Sequence, residues 1–368
     1  MFLSKKILLL YVLLGLLVFW ATTFLPLDGG DFRHNLWAPA GYLLQGVSPY
    51  QMQPDGINSV WFPFGITLFL PFGFMPFELA YRLWIGLSIT SLLAVIGLLS
   101  PPKPKPLSLG LVLLAVFIFP PTVTTLLIGQ FSIITVSCLL FALILLQSGK
   151  PALAGLLMAV ALTKPQLALL TLPVLIFMAY RKGSWTYCFR FTAWLVLWLL
   201  LLVLPFFLTG WRWTADFTAA LLGNPTWQQP SLYSLASLGL GDFGKLLWVV
   251  LVLFCLAAGL YLVVRLKPIP AYIFTLLLTT LTAPYLWSWD FVLILPLYIW
   301  WGLNASDTVA RLLLWLCYGV AWYGVLSLKT QVGSNDQGLW WLPVVLGLGV
   351  VVSVMVEQVR MTRLTRQA

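Results

Sequence analysis

The sequence predicts an all-α protein that crosses a membrane many times. Apolar residues make up 61% of its 368 residues and charged residues only 8%, and the mean hydropathy is +0.99. A water-soluble domain carries about 25% charged residues, so a soluble enzyme, a disulfide scaffold and a disordered chain are excluded. The apolar runs are continuous, for example at residues 7–27 and 249–264, whereas a membrane β-barrel needs alternating polar and apolar residues. The spans are therefore predicted to be helices.

About twelve spans are predicted, since each needs about 20 residues to cross the hydrocarbon layer. They are residues 7–26, 78–99, 107–127, 131–147, 151–163, 165–180, 191–209, 244–264, 270–284, 290–303, 308–327 and 339–357. Residues 61–76 contain three prolines and are interpreted as a re-entrant or tilted segment. We expect residues 1–368 to form a single integral membrane domain, with a first outer loop at 28–60 and a long outer loop at 210–243.

The charge distribution predicts the orientation in the membrane. The net charge is +10, from 20 Lys and Arg against 10 Asp and Glu, and basic residues collect on cytoplasmic loops. With the N-terminus in the cytoplasm, the basic residues on that side are Lys5, Lys6, Lys103, Lys105, Lys150, Arg181, Lys182, Arg190, Arg265, Lys267, Arg311, Arg360, Arg363 and Arg366. Both termini are therefore expected to be cytoplasmic, in a multi-pass protein of the plasma membrane.

The first outer loop begins with two carboxylates, Asp28 and Asp31, on either side of two glycines. A carboxylate shielded from water at a membrane interface can accept a proton from an alcohol; the alternative is a solvated loop that ends a helix. The next apolar residues share one face and predict an amphipathic helix along the outer leaflet. They are Phe32, Leu36, Trp37, Ala40, Leu43 and Leu44. Pro39 is expected to kink this helix or to start its second half.

Three further polar residues are placed at the outer face by the same topology. Lys164 lies in apolar sequence, so it either holds a lipid phosphate or extends its ammonium to the interface at the end of a span. Asp290 lies among tryptophans, where it either caps a helix N-terminus or binds sugar hydroxyls. Gln130 lies at a tight turn, for which a plain turn residue is the alternative. The four cysteines are far apart and predict neither a metal site nor a disulfide framework.

Short motifs follow one another through residues 28–296. They are Asp31-Phe32 with Ala40, Leu43-Leu44, Gly46 and Pro49-Tyr50; Gly129-Gln130; Gly149-Lys150-Pro151 with Ala154-Gly155-Leu156; Leu162-Thr163-Lys164-Pro165-Gln166; Pro230-Ser231-Leu232; and Ala283-Pro284 with Trp287, Trp289-Asp290 and Leu295-Pro296. In this order the chain resembles the GT-C glycosyltransferases of family 87, which are polyprenyl-phosphate-mannose-dependent mannosyltransferases and their bacterial relatives.

The resemblance implies a GT-C-like fold and a set of site residues. The family's acidic residue in the first outer loop implies that Asp31 is the catalytic base, with Asp28 as the second candidate. The candidates for binding the donor phosphate are Lys164, Arg33 and His34. The candidates for binding substrate are Asp290, Trp289, Gln130, Gln166 and Tyr50. Members of the family often carry His near the position of Asp290, so this residue departs from the family pattern.

The predicted reaction is the inverting transfer of a sugar from a polyprenyl-phosphate donor to a lipid or glycan acceptor at the outer face of the membrane. The resemblance favours mannose. We expect no metal, no cofactor and no nucleic-acid partner. Two alternatives stay open. A flippase or transporter of lipid-linked sugars would place polar residues through the depth of the bilayer, where the sequence has few, and a membrane scaffold would leave the outer carboxylates unexplained.

Overall fold

The computed structural model describes residues 20, 29–51, 59–223, 229–332 and 336–367, and it contains no strand within these ranges. The all-α prediction is confirmed. Asp28 and the predicted first span, apart from Trp20, lie outside the described residues. Among the described helices, five are long and apolar enough to cross a membrane, or six if one bent pair is counted as a span. The predicted count of about twelve is not confirmed.

Fifteen helices are described in chain order. The first, α1, is a continuous run of the segments Gly30–Phe32, Arg33–Trp37 and Ala38–Leu44. The others are α2 Pro63–Thr67, α3 Leu70–Gly73, α4 Phe77–Leu99, α5 Pro106–Ile118, α6 Pro120–Ile128, α7 Ser132–Gln147, α8 Pro151–Ala161, α9 Thr171–Val203, α10 Trp213–Leu222, α11 Leu232–Arg265, α12 Pro268–Thr282, α13 Leu295–Asn304, α14 Thr308–Val332 and α15 Leu342–Gln367.

Proline and glycine account for most differences between the predicted and observed helices. The predicted span 107–127 is a pair of helices, α5 and α6, bent by 53°, because Pro120 and Pro121 supply no N–H to continue the first helix. The predicted outer loop 210–243 contains α10 and the beginning of α11. Gly241 interrupts α11 with a φ of 58°, and the helix beyond it matches the predicted span 244–264.

The amphipathic helix of the first loop is present as α1. Its segment Arg33–Trp37 is a wide π-helical turn, which makes room for Pro39 at the start of the following α-helical segment. A proline ring would otherwise collide with the carbonyl four residues earlier. The apolar face is buried against protein side chains, with Phe32 and Leu36 at most 1% exposed. The position of α1 at the outer face is not confirmed.

The chain divides into two compact units. Unit 1 consists of residues 1–94, 124–165 and 179–226, and unit 2 of residues 95–123, 166–178 and 227–368. In unit 1, α7 and α8 form an antiparallel hairpin, which turns at Gly149 (φ 78°) beside the exposed Lys150. In unit 2, α11 and α12 pack side by side, as do α14 and α15. The prediction of a single membrane domain stays a prediction.

Candidate active site

Asp31 lies half-buried in the first turn of α1, in unit 1. One carboxylate oxygen accepts a hydrogen bond from Asn35 Nδ2 at 3.3 Å, one helical turn further on. The other accepts a short hydrogen bond from Gln130 Nε2. Two amide groups thus hold the carboxylate in one orientation while part of it stays open to solvent.

The neighbour of Asp31 anchors α1 in an aromatic core. The Phe32 ring is fully buried, and its centre lies 5.9 Å from that of Phe69, 5.4 Å from that of Tyr81 and 6.0 Å from that of Trp84. Edge-on and offset contacts of this kind stabilise a buried ring beyond its apolar area. Because Phe32 cannot move without opening this core, the backbone that carries Asp31 is fixed.

The turn Gly129–Ser132 between α6 and α7, referred to below as the bridging turn, is fixed by the same core. Trp84 Nε1 donates to the Gly129 carbonyl oxygen at 2.9 Å, and the Phe131 ring stacks on Trp84 at 5.4 Å. Gly129 has a φ of 75°, and a Cβ there would lie 2.5 Å from the Cβ of Phe32. Only glycine meets both the backbone requirement and the close approach.

Lys164 follows the C-terminal end of α8, and only 5% of it is exposed. Its Nζ donates to Ser132 Oγ at 2.9 Å and lies 5.7 Å from the centre of the Trp61 ring. A buried ammonium is costly unless dipoles or opposite charge surround it, and the hydroxyl and the ring face supply part of that environment. Lys164 is therefore held inside the protein.

The bridging turn connects the two charged groups. Gln130 contacts Asp31 and Ser132 contacts Lys164, and Cα atoms two residues apart are separated by at most about 7 Å. A carboxylate and an ammonium from distant parts of the sequence are thus held by one short piece of backbone. The sequence did not predict that one turn contacts both charged groups. Asp31, Gln130, Ser132 and Lys164 all lie in unit 1.

The other predicted residues of this region have different surroundings. Arg33 is exposed, with its guanidinium carbon 5.4 Å from the centre of the Phe77 ring, and His34 is exposed as well. Tyr50 is buried, and its hydroxyl donates to the Trp61 carbonyl oxygen at 3.0 Å. Burial raises the pKa of the Tyr50 phenol, so it remains a protonated donor. Gln166 is partly exposed in a 3₁₀ turn of unit 2.

A second polar cluster lies in unit 2, at the turn before α13. Asp290 is fully buried, and its Oδ2 accepts a hydrogen bond from the Trp287 backbone N–H at 3.1 Å. The structure therefore contains the predicted capping interaction. The rings of Trp287 and Trp289 stack 5.0 Å apart at an angle of 15°, and Trp287 Nε1 donates to the Tyr285 hydroxyl at 3.0 Å. These three partly exposed rings are referred to below as the aromatic platform.

Asp336 is a member of this second cluster that the sequence analysis missed. It is 6% exposed, and its Oδ2 accepts a hydrogen bond from the Ser288 backbone N–H at 3.2 Å. Asp290 and Asp336 thus hold neighbouring N–H groups of the segment that carries the platform. The sequence did contain a signal for Asp336, because this residue follows the predicted span 308–327 on the side predicted for the other outer carboxylates.

The chemistry that these clusters offer is that of a positioned base, a buried cation and an aromatic surface. Asp31 can take a proton from a hydroxyl group, and Lys164 can stabilise an anionic oxygen. Aromatic faces suit the C–H groups of a sugar ring. In the described part of the chain, no three His, Cys, Asp or Glu side chains lie close enough together to hold a metal ion.

Comparison with known proteins identifies a family. The sequence model of glycosyltransferase family 87 matches residues 62–296, which is more than half of the chain. The match includes Gln130, Ser132, Lys164 and Asp290, whereas Asp31 precedes it, so the assignment of Asp31 depends on its contacts. No curated protein matches the chain significantly.

Proposed function

The chain belongs to glycosyltransferase family 87, and we propose that it transfers a sugar from a polyprenyl-phosphate donor to a hydroxyl group of a lipid or glycan acceptor. Mannose is the sugar that the resemblance favours. The observation that carries the proposal is the bridging turn, which holds a half-buried carboxylate through Gln130 and a buried ammonium through Ser132. Transfer from a phosphate ester needs these two groups, a base for the acceptor and a cation for the leaving group.

In the proposed reaction, the acceptor oxygen attacks the anomeric carbon of the sugar and forms the new glycosidic bond. The bond between that carbon and the phosphate oxygen breaks, and its electron pair leaves with the phosphate. The acceptor proton goes to Asp31. Attack on the face opposite the leaving group inverts the anomeric carbon. Asn35 and Gln130 orient the carboxylate for the proton transfer.

Lys164 is proposed to hold the donor phosphate. Its charge is most valuable as the phosphate gains negative charge during bond breaking, since a fixed cation then stabilises the transition state more than the ground state. Burial strengthens the interaction because little water screens it. The lipid tail of the donor then lies among apolar side chains or in the bilayer.

The aromatic platform of unit 2 is proposed to bind a sugar ring. Trp287 and Trp289 present stacked, partly exposed indoles, while Asp290 and Asp336 hold the backbone beneath them. Because Asp290 is fully buried, we assign it to positioning of the platform. The rings themselves are the groups available for contact.

The base assignment is tested by transfer of radiolabelled mannose from a defined polyprenyl phosphate by purified protein in detergent. Asp31→Asn keeps the shape but cannot accept a proton, so kcat should fall about 10²–10⁴-fold. Glu78→Gln is the matched control, because Glu78 is an exposed carboxylate of the same unit and should leave kcat unchanged. Full activity of Asp31→Asn would refute the proposal.

The phosphate assignment is tested with Lys164→Gln and Lys164→Arg. Loss of one donor to a developing anion typically costs about 10²–10³-fold in kcat, and we expect that loss with glutamine. Arginine should not restore activity, because its planar guanidinium group differs in geometry and reach from the compact ammonium of lysine. Lys150→Gln at the opposite end of the α7–α8 hairpin is the control. A tolerated arginine together with a nearly active glutamine variant would assign Lys164 to a structural role.

We further propose that the site faces the outer side of the plasma membrane. The first loop and the basic loop between α7 and α8 are then on opposite sides. A single cysteine at Val47, which is 38% exposed, should react with a membrane-impermeant thiol reagent on intact cells. A cysteine at Ser148 should react only after permeabilisation, and the reverse pattern would invert the orientation.

A further inference from the structure

Unit 2 contains a groove at the end of the α11–α12 pair that lies away from the aromatic platform. The groove has a volume of about 730 Å³, which is within the range of pockets that hold small ligands. Its walls are apolar and include Leu262, Pro270, Phe274, Trp300, Val351 and Met355. All of these residues belong to unit 2. An apolar hollow of this size beside helices that can cross a membrane is suited to an acyl chain.

Two cations line the same groove. Arg265 is the last residue of α11 and Lys267 is the residue before α12, with only Leu266 between them. Both side chains are exposed. The Arg265 guanidinium carbon lies 5.3 Å from the centre of the Tyr261 ring, and neither cation is paired with a carboxylate in the described part of the chain. Two exposed cations without a carboxylate partner attract an anion.

The acidic residue of the groove is not paired with these cations. Glu357 Oε1 accepts hydrogen bonds from Ser306, from the backbone N–H at 3.0 Å and from the hydroxyl at 2.7 Å. The two cations and this carboxylate leave a net charge of +1 along the groove. The nearby Asp307 is already paired with Arg360 at 3.0 Å. The groove therefore has a charge that complements a ligand of charge −1.

The backbone at this point offers few N–H groups to an anion. A helix N-terminus often holds phosphate through its free N–H groups. In α12, however, Pro268 and Pro270 have no N–H, and the Ala271 N–H is bonded to the Lys267 carbonyl oxygen at 3.1 Å. The basic side chains that line the groove, Arg265 and Lys267, are therefore the main groups that can recognise an anion here.

We propose that this groove is a binding site for one anionic phospholipid of the phosphatidylglycerol type. One acyl chain lies along the apolar walls, and the phosphate contacts Arg265 and Lys267. The headgroup of this lipid has the charge of −1 that the groove complements. Basic side chains beside a membrane attract the anionic lipids of the cytoplasmic leaflet, and the sequence predicts this end of α11 to be cytoplasmic. The proposal does not depend on the proposed reaction.

The test measures lipid binding to the full chain in lipid-free detergent. Dioleoyl-phosphatidylglycerol is titrated in mixed micelles, bound lipids are counted by native mass spectrometry, and Kd is obtained from the titration. The double variant Arg265→Gln with Lys267→Gln should bind about 30-fold more weakly, since each basic residue contributes about fivefold. Lys103→Gln with Lys105→Gln is the matched control, because these exposed lysines have the same spacing and lie in the same unit; its Kd should be unchanged.

Three further comparisons distinguish binding in the groove from general attraction of anions to basic residues. Dioleoyl-phosphatidylcholine has the same chains and phosphate but no net charge, and it should bind at least tenfold more weakly. Val351→Trp should fill the groove from its 40% exposed position and weaken phosphatidylglycerol binding while both cations remain. Inorganic phosphate should not compete at millimolar concentration. The variants should unfold at the wild-type temperature in lipid-free detergent, and Val351→Trp decides the question if the double variant does not fold.

Three results would overturn the proposal. The first is an equal loss of binding in the Lys103 and Lys105 variant, which would indicate attraction to the whole basic end. The second is equal affinity for the two lipids, which would leave the cations without a role. The third is unchanged binding in Val351→Trp, which would place the lipid elsewhere.

Discussion

Replacement of Gln130 by methionine tests the bridging turn directly. Gln130 is 5% exposed, and methionine has a similar length and volume without hydrogen-bonding groups. The substitution removes the amide that donates to Asp31 and leaves the hydrogen bond from Asn35 in place. The backbone of the turn should keep its position, because Trp84 and Phe131 hold it independently.

The size of the effect follows from the kind of bond that is lost. A hydrogen bond to a charged acceptor contributes about 1.5–3 kcal/mol. If that energy orients Asp31 in the transition state, its loss lowers kcat about 10–150-fold at 25 °C. The bond from Asn35 is long at 3.3 Å, so it should compensate only weakly. The effect should be smaller than that of Asp31→Asn, which removes the base itself.

The assay measures kcat and KM for sugar transfer together with the thermal unfolding temperature. Gln147→Met is the matched control, because Gln147 lies at the other end of α7 and its side chain is only partly buried. We expect a lower kcat, a nearly unchanged KM and an unfolding temperature within a few degrees of the wild type. A wild-type kcat, or a loss of activity that only parallels a loss of stability, would refute the positioning role.

Three further predictions concern other parts of the chain. Gly129→Ala should lower the unfolding temperature more than Gly149→Ala, because both have a positive φ but only the first Cβ would collide with side chains; equal effects would contradict this. Asp290→Asn keeps an oxygen for the backbone N–H that Asp290 caps, so it should transfer sugar like the wild type while Asp290→Ala should not. Hydrogen bonds from the Ala310 backbone and then from a guanidinium lower the pKa of Asp307. Its stabilisation is therefore complete above the unfolded pKa of about 4 and is lost as the pH falls through the lower folded pKa. Unfolding temperatures between pH 6 and 3 should fall less steeply in Asp307→Asn, and identical slopes would exclude this contribution.

Within the described residues, helices were predictable in long apolar runs without proline. The predicted span 78–99 matches Phe77–Leu99, and 308–327 lies within Thr308–Val332. Prediction was weaker where short helices follow one another, as at residues 106–128, because apolar composition does not determine the angle at a proline. The face of α1 was also predicted, since its spacing identifies Phe32 and Leu36 as buried. The same spacing does not distinguish lipid from protein as the surroundings of that face.

Most residues of the candidate site were predictable, but the contacts between them were not. Asp31 and Lys164 are conspicuous because charges are rare in this sequence. Gln130 was a candidate for binding substrate, with a plain turn residue as the alternative, since no local pattern indicates that it meets a carboxylate 99 positions earlier. For Asp290 the sequence left helix capping and sugar binding open, and only the three-dimensional packing determines that its carboxylate is turned inward to a backbone N–H.

The groups around both ends of α7 suit the dipole of this helix. Its last carbonyl oxygens accept hydrogen bonds from cationic and hydroxyl groups, with Lys182 Nζ bonded to Gln147 and the Tyr187 hydroxyl bonded to Leu146 at 2.6 Å. Its first residue is Ser132, the partner of Lys164. An α-helix carries about half a positive charge at its N-terminus, and in α7 that end is where we propose that the phosphate departs. Sixteen aligned peptide groups would thus favour the leaving group without a second basic side chain.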